Sequence, residues 1–229
     1  MSTDVDSLIA AMLEAEWPQP VDLARLRTVA SEAVVRLVDR LEHEPVALRR
    51  RRICELLADV VAGEPGRLAP YLHTPSWYLA RNLAYVLGEI RSAGAVPHLA
   101  ALARHPEYRV RREVIDALHK LGGGAARAAL AVFFEDPDAR IRRHCIDGMG
   151  AVYDPHAAGW LLTIVQSRDF TPEGTSLKEA AVAALARMRA DEARPVLERV
   201  ARRRWVFGRG RKLLQDAARG ALAQVYSSR

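Results

Sequence analysis

The chain has 229 residues, half of them hydrophobic and only 6% aromatic, with a formal net charge of +6. That length buries a continuous core, and the small aliphatic side chains that must fill it favour closely packed helices over a sheet. No apolar run approaches the roughly 18 residues of a membrane span, and the acidic start MSTDVDSLIAAML lacks the basic region of a secretory signal, so a cytoplasmic protein with no membrane partner is expected.

Residues 1–44 hold 4 Arg and 9 Asp/Glu, a balance of −5. They contain an amphipathic segment near Leu8–Leu13 and a longer one from Asp22 to Leu41. They read as an acidic helical cap that includes the first repeat helix. A repeat array needs such a cap because its end repeats have one unstacked face.

From Pro45 onward the sequence repeats. PSWYLARNLAYVLGEI from Pro75, PEYRVRREVIDALHKL from Pro106 and PDARIRRHCIDGMGAV from Pro137 align without gaps at 31-residue steps. An earlier copy, PVALRRRRICELLADV, starts at Pro45; a later one, SLKEAAVAALARM, starts at Ser176; the last, RKLLQDAARGALAQV, starts at Arg211. Within a copy the apolar residues fall at i, i+4, i+7, i+8 and i+11, as in Val110, Val114, Ala117, Leu118 and Leu121. This is the period of a helix with one buried face, and a proline is harmless in its first turn. A turn then leads into a shorter apolar helix such as AVPHLAALA from Ala95. The expected architecture is all-α: a right-handed α-solenoid of about six stacked helix pairs, with 45–229 forming one continuous repeat domain.

The pattern xP-x-x-x-VRR-x-x-x-x-AL-x-x-L with a following AxxxL helix resembles HEAT repeats of the bacterial type also found in phycobilin lyases. The resemblance covers about residues 45–226. It implies stacked helix pairs whose second helices line a concave face, and it leaves function open, because such repeats serve many roles.

Arg51, Arg81, Arg112 and Arg143 occupy equivalent positions at the start of the second helices, and Arg50, Arg111 and Arg142 sit one residue earlier, with Ala80 breaking that row. Stacking would align the first set in a column facing a partner or a phosphate backbone. An acid recurs one turn later in Arg51–Glu55, Arg112–Asp116 and Arg143–Asp147. The base-before-acid order is unfavourable within one helix, so a ladder of arginines reaching acids on neighbouring repeats is the preferred reading.

Two turns are longer than their counterparts: QSRDFTPEGTS, Gln166 to Ser176, and RRRWVFGRGRK, Arg202 to Lys212. Insertions in repeat proteins map to one face, often the binding face. The second joins Trp205 and Phe207 to Arg202, Arg203, Arg209, Arg211 and Lys212, within a carboxyl-terminal stretch (187–229) of balance +8. Arginines interleaved with aromatics suit an acidic protein segment or single-stranded nucleic acid. Cys54 and Cys145 lie on amphipathic helices without CxxC or Cys/His spacing, and the seven histidines form no ligand set, so no metal site, disulfide or cofactor is expected. No Ser/His/Asp, Cys/His or paired-carboxylate arrangement is found. The expectation is a non-enzymatic module that binds a protein with an acidic surface; the alternative is a nucleic-acid binder using the basic carboxyl-terminal loop.

Overall fold

The computed structural model describes residues 2–14, 19–151, 154–203 and 208–226; these form helices and turns, with no strand among them. The chain divides into two compact units, Met1–Ala129 and Leu130–Arg229.

The first unit opens with α1 (Ser2–Glu14), α2 (Pro20–Thr28) and α3 (Ala30–His43). The single long amphipathic segment expected from Asp22 to Leu41 is two helices, broken at Val29, whose φ of −113° and ψ of 31° leave the helical region. Both pieces remain seated by fully buried Leu26, Leu37 and Leu41. Much of the acidity of this cap is consumed locally: Asp6 on α1 pairs with Arg36 and Arg40 on α3. The repeats follow as α4 (Ala47–Val61) with a 3₁₀ segment at Pro65–Tyr71, α5 (Trp77–Glu89) with α6 (Val96–Leu102), and α7 (Tyr108–Leu121) with α8 (Gly123–Leu130). The second unit contains α9 (Ala139–Gly148), α10 (Pro155–Gln166), α11 (Pro172–Met188), α12 (Ala193–Ala201) and α13 (Arg209–Ala221). The period-3.6 positions are the buried ones: Val110, Val114 and Leu118 in α7, and Ile141 and Cys145 in α9, are at most 2% exposed.

The 31-residue period is fixed by a recurring turn. The residue before each proline accepts a hydrogen bond from the backbone N–H two positions on: Glu44 from Val46 at 2.9 Å, Thr74 from Ser76 at 3.2 Å, His105 (through Nδ1) from Glu107 at 3.1 Å, and Asp136 from Asp138 at 2.9 Å. Four different side chains perform one task. The N-cap of three of these helices then bonds back, Ser76 to the N–H of Leu79, Glu107 to that of Arg109 and Asp138 to that of Arg140.

An arginine closes the turn. Arg50 Nη1 donates to the carbonyls of Glu44 and Pro45 at 3.1 and 2.6 Å, Arg111 Nη1 to His105 and Pro106 at 2.8 and 3.1 Å, and Arg142 Nη1 to Asp136 and Pro137 at 2.6 and 3.3 Å. In each case the two N–H bonds of one guanidinium nitrogen, Nη1, serve two successive carbonyls together. In the repeat where Ala80 replaces this arginine the alanine is fully buried. There, Arg50 from the preceding repeat lies over the Tyr78 ring at 5.4 Å and Arg109 from the following one over Trp77 at 5.0 Å.

α5 and α7 approach closely. A Cβ at Gly88 would stand 2.8 Å from Ala117 Cβ and 2.9 Å from its Cα, so only glycine fits that contact. Ion pairs flank it: Arg81 Nε to Glu113 at 3.2 Å and Lys120 Nζ to Glu89 at 2.6 Å, both between adjacent repeats.

Because Arg111 is only 8% exposed, removing it strands two turn carbonyls. Arg111→Met is expected to cost about 1–3 kcal/mol of stability in urea denaturation, whereas Arg112→Met, on an exposed side chain, stays within about 0.5 kcal/mol. His105 adds a pH dependence, since Nδ1 accepts only when it carries no proton. Burial pushes the His105 pKa below its ordinary 6.5 and the Arg111 cation acts in the same direction, against Glu107. The stability it contributes is therefore complete above 6.5 and is lost as the pH falls through 6.5 toward the lower folded value. Thermal melts at pH 7.5 and pH 5 should show a larger acid loss for the native chain than for His105→Thr, which carries the acceptor found at position 74.

A candidate anion-binding pocket

The two insertions are shorter than the sequence implied, because each ends in helix. Pro172 opens α11 at its first turn, with Thr171 as N-cap accepting from the N–H of Gly174 at 3.1 Å, so 172–176 is helical. Gly208, with φ of 92°, turns the chain directly into α13, which places Arg209, Arg211 and Lys212 on a helix. Trp205 and Phe207 lie outside the described residues.

The loop before α11 is held from within. The Asp169 carboxylate accepts from Thr171 N at 2.9 Å and Thr171 Oγ1 at 2.6 Å, and these bonds hold its pKa below the usual carboxylate range. Lys178, fully buried on α11, donates to the carbonyl of Ser167 and sets its ammonium 4.0 Å from the centre of the Phe170 ring. Burial pushes the Lys178 pKa down, opposed by Asp169 and assisted by the Arg203 and Arg211 cations. Phe170 is thus fixed from below by a lysine, while the Arg211 guanidinium lies 4.9 Å from the ring centre. Across the gap, Gln215 on α13 donates to the carbonyls of Ala201 and Arg203 at 3.0 and 2.8 Å and ties the end of α12 to α13.

Between these parts lies a cavity of about 580 Å³. Val165, Val196, Val200 and Leu214 supply apolar wall, and Arg168, Arg199, Arg203 and Arg211 bring four guanidiniums, with no carboxylate among the described lining residues. A second cavity of about 590 Å³ shares Phe170 and Arg211 and adds Arg209, Thr175 and Glu179. Thr175 Oγ1 is buried there without a hydrogen-bond partner.

The charge pairing of this unit sharpens the picture. Arg140 pairs with Asp138, Arg142 with Glu173, Arg143 with Asp147, and both Arg194 and Arg202 with Glu198. Arg187 and Arg219 donate to the carbonyls of Asp147 and Ala201. Among the described residues of this unit, six arginines have no such partner; Arg189 lies elsewhere, and the other five, Arg168, Arg199, Arg203, Arg209 and Arg211, line the two cavities that meet at Phe170.

Of the loop residues named from the sequence, Arg203 lines the first cavity, Arg209 the second and Arg211 both; Arg202 is turned to Glu198, and Lys212 is exposed away from them. Arg168, Phe170, Lys178 and Arg199 are not marked by any motif in the sequence. A signal was present in the Arg-Asp-Phe of the first insertion, once both insertions are put on one edge. The four column arginines adopt no common geometry. Arg51 bonds Glu55 in its own helix at 3.0 Å, Arg81 crosses to Glu113, and Arg143 pairs with Asp147 at 3.4 Å while donating to Ser176 of the next repeat. Arg112 is exposed and Asp116 half-buried on α7. Cys54 and Cys145 are buried, and burial raises both thiols to about 12. No described helix is long and apolar enough to cross a membrane.

Residues 66–133 match the family model for HEAT repeats. No curated protein sequence matches the chain. Solved structures similar to it include human deoxyhypusine hydroxylase in complex with glycerol (16% identity, 100% of this chain and 97% of that one, TM-score 0.48). They also include the complex of CpcE and CpcF of phycocyanin lyase from Nostoc sp. (17%, 95% and 94%, 0.40) and an engineered protein (16%, 98% and 97%, 0.45). The expectation of a non-enzymatic chain is corrected by these likenesses, since a hydroxylase and a lyase stand among the similar folds. A regular repeat without a recognisable catalytic spacing does not separate binders from enzymes.

The α11–α13 contact that frames the pocket has a direct test. A Cβ on Gly210 would fall inside van der Waals contact of Thr175 Oγ1 and 3.3 Å from the Phe170 carbonyl. Gly210→Ala is expected to lose about 1–3 kcal/mol in urea denaturation. The Thr175→Ala background should recover a large part of that loss, read as the coupling in a double-mutant cycle.

Proposed function

We propose that this HEAT-repeat chain is a protein-binding module whose second unit receives an acidic segment of its partner at the Phe170 pocket. The observation that carries the reading is the convergence of five arginines without described acid or carbonyl partners on one pair of cavities, in a unit whose other arginines are largely matched. Glu179 offers one counter-charge in the second cavity, but the four guanidiniums of the first face no described carboxylate, and their mutual repulsion is relieved by a bound anion. The apolar wall adds burial for a neighbouring side chain of the partner, so the affinity does not rest on charge alone.

The test is fluorescence anisotropy of a labelled peptide of alternating Glu and Leu at about 50 mM salt, where ionic attraction is weakly screened. Saturable binding that weakens as salt is added is expected. Arg203→Glu with Arg211→Glu should lower affinity at least ~10-fold, about 1.4 kcal/mol, and Arg51→Glu in the first unit should leave it unchanged. Equal binding by the native chain and the pocket variant would refute the reading.

A further inference from the structure

We infer that the Phe170 pocket selects a phosphomonoester carried on an aromatic or apolar body, as on a phosphorylated side chain of the partner, over a carboxylate. This rests on the protein-binding reading above and names the ligand chemistry of the same site.

Three observations lead to it. The first is charge: Arg168, Arg199, Arg203 and Arg211 line one cavity with no carboxylate among its described lining residues. A carboxylate offers two oxygens and a single charge, enough for one or two guanidinium forks. A phosphomonoester offers three terminal oxygens and a charge near −2, which four guanidiniums match. The second is the platform. Phe170 is locked by Lys178 at 4.0 Å and Arg211 at 4.9 Å, so the ring is already in place beside the cations. With Val165, Val196, Val200 and Leu214 it gives the cavity an apolar wall that a bare inorganic anion leaves unfilled. The third is shape. The cations gather around a cavity of about 580 Å³, and the arginines at the helix starts of this unit are engaged: Arg142 with Glu173, and Arg143 with Asp147 and Ser176. Matched charges at those positions provide no track for the successive phosphates of a nucleic-acid backbone, which requires a row of available cations. A single phosphate on one side chain needs only the cluster.

Lys178 has a separate role. It is fully buried and committed to the Ser167 carbonyl and the ring, so it positions the loop and makes no contact with the ligand.

The experiment is calorimetric titration of the full chain with phenyl phosphate, benzoate and inorganic phosphate at pH 7.5 and about 50 mM salt. Phenyl phosphate is expected to bind ~10-fold or more tighter than either benzoate or inorganic phosphate. Its affinity should fall several-fold between pH 7.5 and pH 5, as the second phosphate proton (pKa about 6) returns. Phe170→Leu should reduce phenyl phosphate to the level of inorganic phosphate and leave the latter unchanged. Arg203→Lys with Arg211→Lys keeps the charge but removes the planar fork, and should cost ~10-fold; both side chains are exposed, and an unchanged thermal melt verifies the fold. Benzoate binding as tightly as phenyl phosphate would overturn the inference. An unphosphorylated oligonucleotide that displaces phenyl phosphate would overturn it too. The acidic peptide separates the two levels: if it binds through Arg203 and Arg211 without any phosphate preference, this inference fails and the protein-binding reading stands. If neither peptide nor phosphate depends on those arginines, both fail.

Discussion

The structure depends on the treatment of carbonyl oxygens in the turn before each long helix. Proline at 45, 75, 106 and 137 stops one segment and opens the next, but it donates no hydrogen bond and leaves the carbonyls around it without ladder partners. The acceptor side chain before the proline and the arginine five residues after it solve this in two halves. One takes the N–H that would otherwise dangle, and the other supplies donors to two carbonyls. With the turn closed, the helix starts at a fixed residue, and the helical period then fixes which side chains reach the core. The spacing of the whole array follows from that local requirement.

This changes the meaning of the paired arginines in each repeat. The second arginine is the more conspicuous in sequence, since it recurs in four copies without a break, yet its partners differ from copy to copy. The first is interrupted by Ala80, yet wherever it occurs it makes the same two bonds. Exposed ion pairs such as Arg51–Glu55, with side chains 70% and 50% exposed, contribute little, because water screens both charges. A nearly buried guanidinium on two carbonyls contributes more, because its loss strands polar groups out of water. Regular recurrence in sequence marks a shared place in the repeat; burial decides which member of the pair holds the fold.

The repeat, its period and its buried face were legible because a helix with one apolar side imprints a single periodicity on the sequence. Helix boundaries were less so. The break at Val29 leaves the hydrophobic pattern intact, and the start of α11 at Pro172 depended on reading Thr-Pro-Glu as a cap and first turn. The site was half legible. Basic charge near the carboxyl end located Arg203, Arg209 and Arg211, but Phe170 and Arg168 stand some 40 residues earlier, and Arg199 lies on the intervening helix. Nothing in linear spacing brings these together; only the packing of α11 against α13, permitted by Gly210, does so.

The same logic explains why the pocket is where it is. Within the strict repeat many arginines have an assignment: Arg50, Arg111 and Arg142 take turn carbonyls, Arg51 and Arg143 an acid on their own helix, and Arg81 an acid on the next. Where the period is interrupted before α11, no described arginine takes the turn carbonyl that Arg142 takes in the preceding repeat. Lys178 takes over part of that work by binding the Ser167 carbonyl from inside the core. The arginines nearby have no described acid or carbonyl partner, although Arg211 rests on the Phe170 ring, and they line the cavities. A surplus of guanidiniums around an aromatic ring is unfavourable for the folded chain alone, since mutual repulsion is not offset by any described acid among the residues lining the first cavity. It becomes favourable when an anion enters. On the binding reading proposed above, the arginines that close turns serve stability and those gathered at the break in the repeat serve recognition.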